Sequence, residues 1–475
     1  MSLTLFASEL VLIVGSLVVF AISLATDRDR LAAGATRLTA LVNVVVCAAT
    51  LSSTGDLFAH AYHVDLFSQL LKLFIAISFA AVVLFGGGMK GVNRSVQPEY
   101  YLFLTLGVLG LTTLVSSVEL ISLFISLELA SGALYLLVPL RREQPGLKVQ
   151  MESAAKYVMF GIVATGFLVF GMSYLYGLTG STYFSELGPA LILKWGQPAA
   201  LAGILLVVTG LLFKLAAFPM HAWAPDVYQG ASNETTAFIA VAPKIAAVAV
   251  LTRFLLCAKP SSEALTLALS LVAVGSMFFG NLAALVQKDI KRMLGYSSIA
   301  HAGYLMMGLV TLQKTGYSAA LFYIFGFTAM SLAAFLVICQ VSKEGENVTV
   351  DDLSGLHRRN PLAAFILAAS MFALAGIPPF VGFIGKFYLF SEALRGGFLM
   401  LAVVAAVNTA IGIYYYLTVV GVIYFGEPGD RPGVQMDRVA VVTGVLLIAL
   451  VTGLGIMPGR LMEAAVAAMR STTIF

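Results

Sequence analysis

The stretch Phe213-Lys-Leu-Ala-Ala-Phe-Pro219 lies in an apolar run, at about 199–219, that is long enough to cross a bilayer as a helix. It contains a lysine, and it ends in a proline, which removes a backbone hydrogen bond and clashes with the preceding turn. A second stretch, Phe372-Ala-Leu-Ala-Gly-Ile-Pro378, matches it at four of seven positions after 159 residues. The sequence therefore predicts two broken helices in corresponding halves, as in repeat-built transporters.

The composition places these helices in a membrane. Of the 475 residues, 60% are hydrophobic and 11% are charged, and the mean hydropathy is +0.95. Soluble domains have about 25% charged residues, so a chain this poor in charge cannot cover a water-facing surface. The formal charge of +4 is spread over short loops, which gives no indication of nucleic-acid binding.

Fourteen apolar stretches are each long enough to span a bilayer, and they predict an all-α polytopic membrane protein. The loops between them are short, so no soluble domain is expected. The first stretch is too long for a signal peptide and should remain as helix one. The approximate limits are 3–25, 33–53, 65–89, 99–116, 118–140, 152–176, 199–219, 236–258, 263–286, 292–312, 317–341, 360–394, 398–425 and 437–457.

The two proline motifs predict an internal duplication. If each unit has five helices, an odd number, the two units are inverted relative to each other. The tail from Arg460 is too short for a long lateral helix. The expected division is an N-terminal three-helix segment at 1–98, a first repeat at 99–258, a second repeat at 259–425, and a last helix and tail at 426–475.

Loop charge predicts the orientation of the helices. Sixteen lysines and arginines fall in loops on one side, including Arg141, Arg142 and Lys148, and six fall on the other side. The more basic side should face the cytoplasm, with both termini outside a cell inner membrane. Six further basic residues lie inside the spans: Lys72, Lys156, Lys214, Lys244, Arg253 and Lys386.

Glu128, close to the middle of helix five, is expected to be the single buried glutamate. A carboxylate at that depth costs several kcal/mol unless it finds a partner or a proton, so it belongs to a structural ion pair or to a proton relay. Lys214 lies about one turn before Pro219, and Glu128 is its candidate partner. A lysine whose partner moves closer or away has a switchable proton affinity.

The other basic residues inside the spans differ in how deep in the bilayer they are expected to lie. Lys244 lies near the centre of helix eight, too deep for its stem to reach water, and Lys386 follows the second proline motif, so both are candidates for the relay. Lys72 and Arg253 lie near the outer ends of their helices, where snorkelling to the interface is the better explanation.

For three further residues, a role in the relay competes with a structural role. His221 follows Pro219 and either joins the relay or stabilises the helix break by hydrogen bonding. His301 has the same two interpretations, and in a relay the nearby Ser297 and Tyr304 would extend a wet path. Lys156 lies four residues after Glu152, so an i,i+4 ion pair competes with a relay role.

No cofactor or metal site is expected on this chain. Cys47, Cys257 and Cys339 each stand alone in an apolar run, and no CxxC pair, Walker A loop or GxGxxG after a strand is present. Energy for transport must therefore come from an ion gradient or from a partner.

The chain resembles the antiporter-like subunits of respiratory complex I and the related subunits of multi-subunit cation/proton antiporters. The resemblance is strongest in Phe213-Lys-Leu-Ala-Ala-Phe-Pro-Met-His-Ala-Trp-Ala-Pro-Asp-Val-Tyr-Gln-Gly-Ala231 and in Gly376-Ile-Pro-Pro-Phe-Val-Gly-Phe-Ile-Gly-Lys386. The sequence that follows Pro225, Asp-Val-Tyr-Gln-Gly-Ala231, resembles that of subunit N, which is called subunit 2 in mitochondria. The M-type relatives usually have glutamate where Lys386 stands, and the L-type relatives have a long C-terminal extension.

The resemblance implies fourteen helices with two inverted five-helix repeats, and a proton channel that uses Glu128, Lys214, Lys244 and exit-side Lys386. It implies M-like, L-like, K-like, J-like and A-like membrane partner subunits. NADH oxidation and quinone reduction would occur on other subunits. Three hypotheses remain open: a proton-translocating subunit of NADH–quinone oxidoreductase, a secondary cation/proton antiporter that takes up ions in isolation, and an assembly scaffold whose ionisable residues only lock helices together.

Overall fold

The structure is a computed structural model that describes residues 3–25, 28–85, 88–142, 149–260 and 262–472. Lys148 lies outside these residues. The helices of the first half are α1 Ala7–Ser23, α2 Arg28–Ala49, α3 Leu66–Val83, α4 Gln97–Ser116, α5 Leu120–Leu137, α6 Val149–Thr179, α7 Phe184–Leu193, α8 Pro198–Leu215, α9 Trp223–Gly230 and α10 Asn233–Leu255.

The second half of the described chain is also helical. Two short strands, β1 Gly55–Leu57 and β2 Tyr62–Val64, form an antiparallel hairpin between α2 and α3. The remaining helices are α11 Glu263–Ala284, α12 Ile290–Val310, α13 Lys314–Val341, α14 Leu356–Arg359, α15 Pro361–Ala375, α16 Val381–Arg395, α17 Leu399–Phe425, α18 Arg438–Ile456 and α19 Gly459–Ser471.

The all-α membrane fold predicted from the sequence is confirmed. Twelve helices within the described residues are long and apolar enough to cross a membrane. The two other expected spans, at 292–312 and 360–394, coincide with α12 and with the interrupted pair α15 and α16. The count of fourteen crossings stays a prediction.

Burial divides the helices into a core and a lipid-facing layer. Every residue of α10 is buried, and so is the span of α13 from Gly316 to Gln340. In α1, α2, α6, α11, α17 and α18, by contrast, only 33–39% of the most apolar window is buried. Large apolar side chains on these outer helices, such as Leu17 and Leu446, are more than half exposed. Hydrocarbon is the solvent that suits such faces.

Both proline motifs interrupt a helix, as the sequence predicts. α8 ends where Ala216 adopts the left-handed conformation with φ of 57°, and α15 ends where Gly376 does so with φ of 85°. The helical path resumes at Trp223 in α9 and at Val381 in α16. Each break frees backbone carbonyls deep in the protein, and these carbonyls need new donors.

Several smaller elements were not expected from the sequence. The hairpin β1–β2 lies beside the start of α5, since Ala61 O accepts hydrogen bonds from Val118 N and from Ser122 Oγ. α7 is a short helix between α6 and α8. The tail, expected only to be too short for a long lateral helix, forms the 13-residue α19, which packs against α3 and α13.

Close helix contacts recur in the two halves of the chain. A Cβ added at Gly110 of α4 would lie 2.4 Å from Ala130 N of α5, and a Cβ at Gly280 of α11 would lie 2.5 Å from Ala300 N of α12. Small residues let helix backbones approach this closely in a membrane, where tight packing drives association.

The substitution Gly280→Ala should destabilise the protein by about 1–3 kcal/mol, because the new methyl group would overlap the backbone of α12. Gly453→Ala is the matched control, since nothing lies within 4 Å of a Cβ at that helical position. Thermal unfolding of the purified protein in detergent measures both effects. Equal melting temperatures for the two variants would contradict the packing argument.

Candidate functional site

Lys244 lies at the centre of the core, where α10 passes α12. Its Nζ donates to the hydroxyl of Ser298 and, at 3.3 Å, to the carbonyl of Ser298. The Ser298 hydroxyl lies 3.1 Å from that of Tyr228, which is on α9 beyond the first helix break. The side chain of Lys244 is buried, so these hydroxyls replace the water that an ammonium group requires.

His301 lies one turn beyond Ser298 on α12 and joins two tyrosines. Its Nδ1 is 2.6 Å from the hydroxyl of Tyr323, and its Nε2 is 3.0 Å from that of Tyr416. The Tyr416 hydroxyl also bonds to the Ser297 hydroxyl. An imidazole with a hydroxyl on each nitrogen is able to take a proton on one side and release it on the other.

Lys386 occupies the second helix break. Its Nζ donates to the carbonyls of Leu374 at 3.3 Å and Ala375 at 3.0 Å, the last residues of α15. It also lies 4.7 Å from the ring centroid of Tyr304. Carbonyls at a helix C-terminus carry partial negative charge, so this position stabilises a cation.

Lys214 and Glu128 are near each other but are not an ion pair in the described structure. Nζ of Lys214 is buried and makes no hydrogen bond to any described residue, and it lies 5.6 Å from the ring centroid of Tyr135. Glu128 is half-buried and accepts a hydrogen bond of 2.8 Å from the hydroxyl of Thr165 on α6. Of the buried lysines expected in the relay, Lys214 therefore has the fewest hydrogen-bond acceptors to stabilise its ammonium group.

Two small cavities adjoin these groups. One, of about 10 Å3, is lined by Lys214, Thr165 and Ser131, and the other, also of about 10 Å3, is lined by Lys244 and His301. A volume of that size holds about one water molecule. The second cavity brings Lys244 and His301 to a common space, although no direct hydrogen bond joins them among the described contacts.

The structure places His221 and Lys156 outside this row of groups. His221 packs against the rings of Phe218 and Phe279, with centroid distances of 5.4 and 4.3 Å. Nζ of Lys156 lies 2.7 Å from carboxylate oxygens of both Glu152 and Asp226. The i,i+4 pair expected from the sequence is thus present, and Asp226 adds a second partner. The relay roles of both residues stay predictions.

Glu128 is not the single buried glutamate, and the snorkelling expected of Lys72 and Arg253 is wrong. Glu9 on α1 is fully buried and lies 3.0 Å from Nζ of Lys72. Arg253 is buried and donates over 2.8 Å to Asp65. Position along a helix did not show that neighbouring helices cover these ends. The feature of the sequence that could have predicted a buried partner for Lys72 was Glu9, a carboxylate inside the first apolar stretch.

A second group of buried charges surrounds the end of α9. Lys291, counted as a loop residue, is fully buried, and its Nζ donates to the carbonyl of Ala231 at 2.7 Å. Arg141 donates to the carbonyls of Gln229 and Gly230 at 2.9 and 3.1 Å. These cations cap the carbonyl end of α9, which is a positioning role that sequence spacing did not reveal.

An all-α fold with two interrupted membrane helices and a buried row of ionisable groups defines a helical membrane protein of the ion-translocating class. Residues 117–412 match the family described as NADH:quinone oxidoreductase/Mrp antiporter, TM. The chain is 47% identical to NADH-quinone oxidoreductase subunit N 2 of Opitutus terrae, over 97% of this chain and 96% of the relative.

Other relatives agree. The subunit N 2 of Syntrophobacter fumaroxidans is 40% identical over 98% of both chains. A chain of respiratory complex I from Thermus thermophilus superposes with a TM-score of 0.83 at 31% identity, over 97% of this chain and 99% of that one. A chain of a Mrp complex from Dietzia has a TM-score of 0.88 at 21% identity, over 99% of this chain and 97% of that one, which shows a shared fold. The chain belongs to the N-subunit family of NADH-quinone oxidoreductases.

Removing one partner of the buried pair, by Glu9→Gln or by Lys72→Met, should destabilise the protein by about 3–5 kcal/mol, because a buried charge is left uncompensated. The double variant should be much closer to the parent. Melting temperature and yield of assembled protein are the measurements.

Arg395→Met is the matched control for that experiment, since it breaks a pair whose arginine is exposed and should leave stability unchanged. A double variant that is less stable than either single variant would contradict the pairing.

Proposed function

We propose that this chain is the proton-translocating membrane subunit N of an NADH-quinone oxidoreductase, driven by redox chemistry on partner subunits. The observation that carries the proposal is the hydrogen-bonded row at the core, in which Lys244 meets Ser298, and His301 lies between Tyr323 and Tyr416. Ionisable groups this deep in a membrane protein mark ion pathways and proton relays. Identity of 47% over almost the whole chain to a named subunit N supports the parent complex.

The proposed relay runs from Lys214 through Lys244 to Lys386. The three ammonium groups differ in what surrounds them. Within the described residues Lys214 has no hydrogen bond, Lys244 donates to the hydroxyl and the carbonyl of Ser298, and Lys386 donates to two carbonyls at a helix end. Hydrogen bonds and dipoles that favour the charged form raise its population. Lys244 and Lys386 therefore have acceptors for their protonated form that Lys214 lacks among the described residues.

The switch in this relay is the gap between Glu128 and Lys214. While Glu128 accepts the hydrogen bond from Thr165, its carboxylate is held away from the ammonium group. A shift of α5 that closes this gap would stabilise the proton on Lys214, and reopening it would release the proton toward Lys244. The cavity beside Lys214 leaves space for such a rearrangement.

The hydroxyl groups supply the steps between the amines. Serine and tyrosine hydroxyls donate and accept at once, so Ser298 and Tyr416 are able to pass a proton without a lasting charge. His301 and the cavity that it shares with Lys244 provide the connection to the second half. His221 and Lys156 are assigned peripheral parts, at the first break and at the pair with Asp226.

The proposal includes the two inverted repeats, at 99–258 and 259–425. The close glycine contacts at Gly110 and Gly280 and the two left-handed helix ends support it, because an equivalent feature recurs in each half. It also includes the orientation from loop charge, with the more basic side in the cytoplasm, and M-, L-, K-, J- and A-like membrane subunits as partners in a cell inner membrane.

The substitution Lys244→Met should reduce proton translocation by this subunit by more than about tenfold, because methionine keeps the packing stem and removes the titratable amine. Assembly should be preserved. Proton pumping by the complex in reconstituted vesicles, measured together with NADH:quinone turnover, tests this.

Lys259→Met is the control, since Lys259 is an exposed residue outside the helices. Unchanged coupling in Lys244→Met would overturn the proposed relay. Uptake of sodium by the isolated chain against a proton gradient would instead favour the secondary antiporter.

A further inference from the structure

A chain of titratable side chains runs from the hairpin surface into the protein beside α10. His60, at the hairpin turn, has a side chain that is 79% exposed, and its Nδ1 lies 3.1 Å from Asp56. On the opposite strand, Nδ1 of His63 lies 2.5 Å from the other oxygen of Asp56. The second nitrogen of His63 faces Asp65, at 3.9 Å.

The two carboxylate oxygens of Asp65 differ in their hydrogen bonding. Oδ1 accepts hydrogen bonds of 2.8 Å both from Ser68 N, as the cap of α3, and from Arg253 of α10. Oδ2, the oxygen that faces His63, is buried and makes no hydrogen bond within the described residues. Because 3.9 Å exceeds a hydrogen bond, one bridging water or a small approach completes the link.

Fixed backbone geometry holds these groups together. Asp56 and His63 are directly opposed across the two-stranded hairpin. Three consecutive turn residues, Phe58, Ala59 and His60, have positive φ angles of 52°, 53° and 66°. Non-glycine residues rarely adopt this conformation, and such strain concentrates at functional sites. Here the turn brings the His60 ring back to the carboxylate of Asp56.

Several charged and titratable groups surround His63. Burial would raise the pKa of the Asp56 carboxyl, but hydrogen bonds from His63 and His60 outweigh it and hold that pKa below its ordinary value. Two carboxylates and two imidazoles face one another, and Arg253 offsets one carboxylate. Neighbouring elements add the Glu9–Lys72 pair, in which Lys72 donates to the hydroxyl of Tyr62, and Glu119 at the start of α5.

We propose that His63, with Asp56 and His60, forms the proton-exchange port of this subunit on its hairpin side, and that Asp65 positions His63. This rests on the proposed function, and the orientation from loop charge makes it the release port. His63 takes a proton at Nε2 and releases the proton on Nδ1 to water beside Asp56, whose carboxylate stabilises the protonated ring. Exchange of the remaining proton between the two ring nitrogens through water restores the starting tautomer.

Several buried polar atoms lie between the port and the interior of the protein. Gln69 Oε1 on α3, and Thr252 Oγ1 and Arg253 Nε and Nη1 on α10, are all buried and have no hydrogen-bond partner within the described residues. Buried polar groups of this kind are satisfied by ordered water. They lie on the hairpin side of Lys244, which is nine residues earlier on α10, about 14 Å along the helix axis.

The test is His63→Ala in the complete complex, reconstituted in vesicles. We expect coupled NADH:quinone turnover to fall about tenfold and added imidazole to restore it, because the small buffer takes the place of the lost ring. His60→Gln should have a smaller effect, since water replaces an exposed imidazole. His357→Gln, which removes an imidazole bonded to the carbonyl of Ile423 far along the chain, is the matched control and should leave turnover unchanged.

Two results would overturn the port. Turnover and proton stoichiometry that do not change in His63→Ala would show that protons leave elsewhere, and a loss that imidazole does not restore would show a structural role. Lys244→Met, measured in the same preparation, separates the two proposals: if it blocks translocation while His63→Ala does not, only the port fails. If Lys244→Met does not block translocation, the proposed function fails.

Discussion

The ammonium group of Lys244 lies on a helix in which every residue is buried, and the arrangement of the core depends on how that charge is accommodated. A lipid bilayer offers no hydrogen bonds, so partners for the amine must come from neighbouring helices. α12 supplies them, with Ser298 bonded to the lysine and His301 on the same face one turn later. Because α10, α12 and α13 pack against each other around these groups, the polar row and the hydrophobic core are one structure.

The two helix breaks solve the same backbone problem with different donors. At the end of α8, the indole of Trp223 donates to the carbonyl of Phe213 at 3.0 Å. At the end of α15, Nζ of Lys386 donates to the carbonyls of Leu374 and Ala375. The donor to the helix carbonyls is thus an indole at the first break and a titratable amine at the second. This difference distinguishes the two ends of the proposed relay, since only the second of the two breaks presents helix carbonyls to a lysine.

Two pairs of buried charges lie outside the proposed relay. The pair of Glu9 with Lys72 ties α1 to α3, and the pair of Asp65 with Arg253 ties the start of α3 to α10. Such pairs cost desolvation energy, and their geometry specifies which helices meet. The first pair holds the N-terminal helices together, and the second joins them to the core and also borders the hairpin histidines.

The sequence by itself determined the membrane class, the two breaks and the burial of Lys214, Lys244 and Lys386, because hydropathy, proline and charge act locally along a helix. It predicted a partner for Lys214 in Glu128, but not the gap between them or the hydrogen bond from Thr165. It misjudged Lys72 and Arg253, and it missed Lys291 and the hairpin network. Only the tertiary structure decided these, since whether an ionisable group meets lipid, water or a partner depends on helices that are distant in sequence and pack around it.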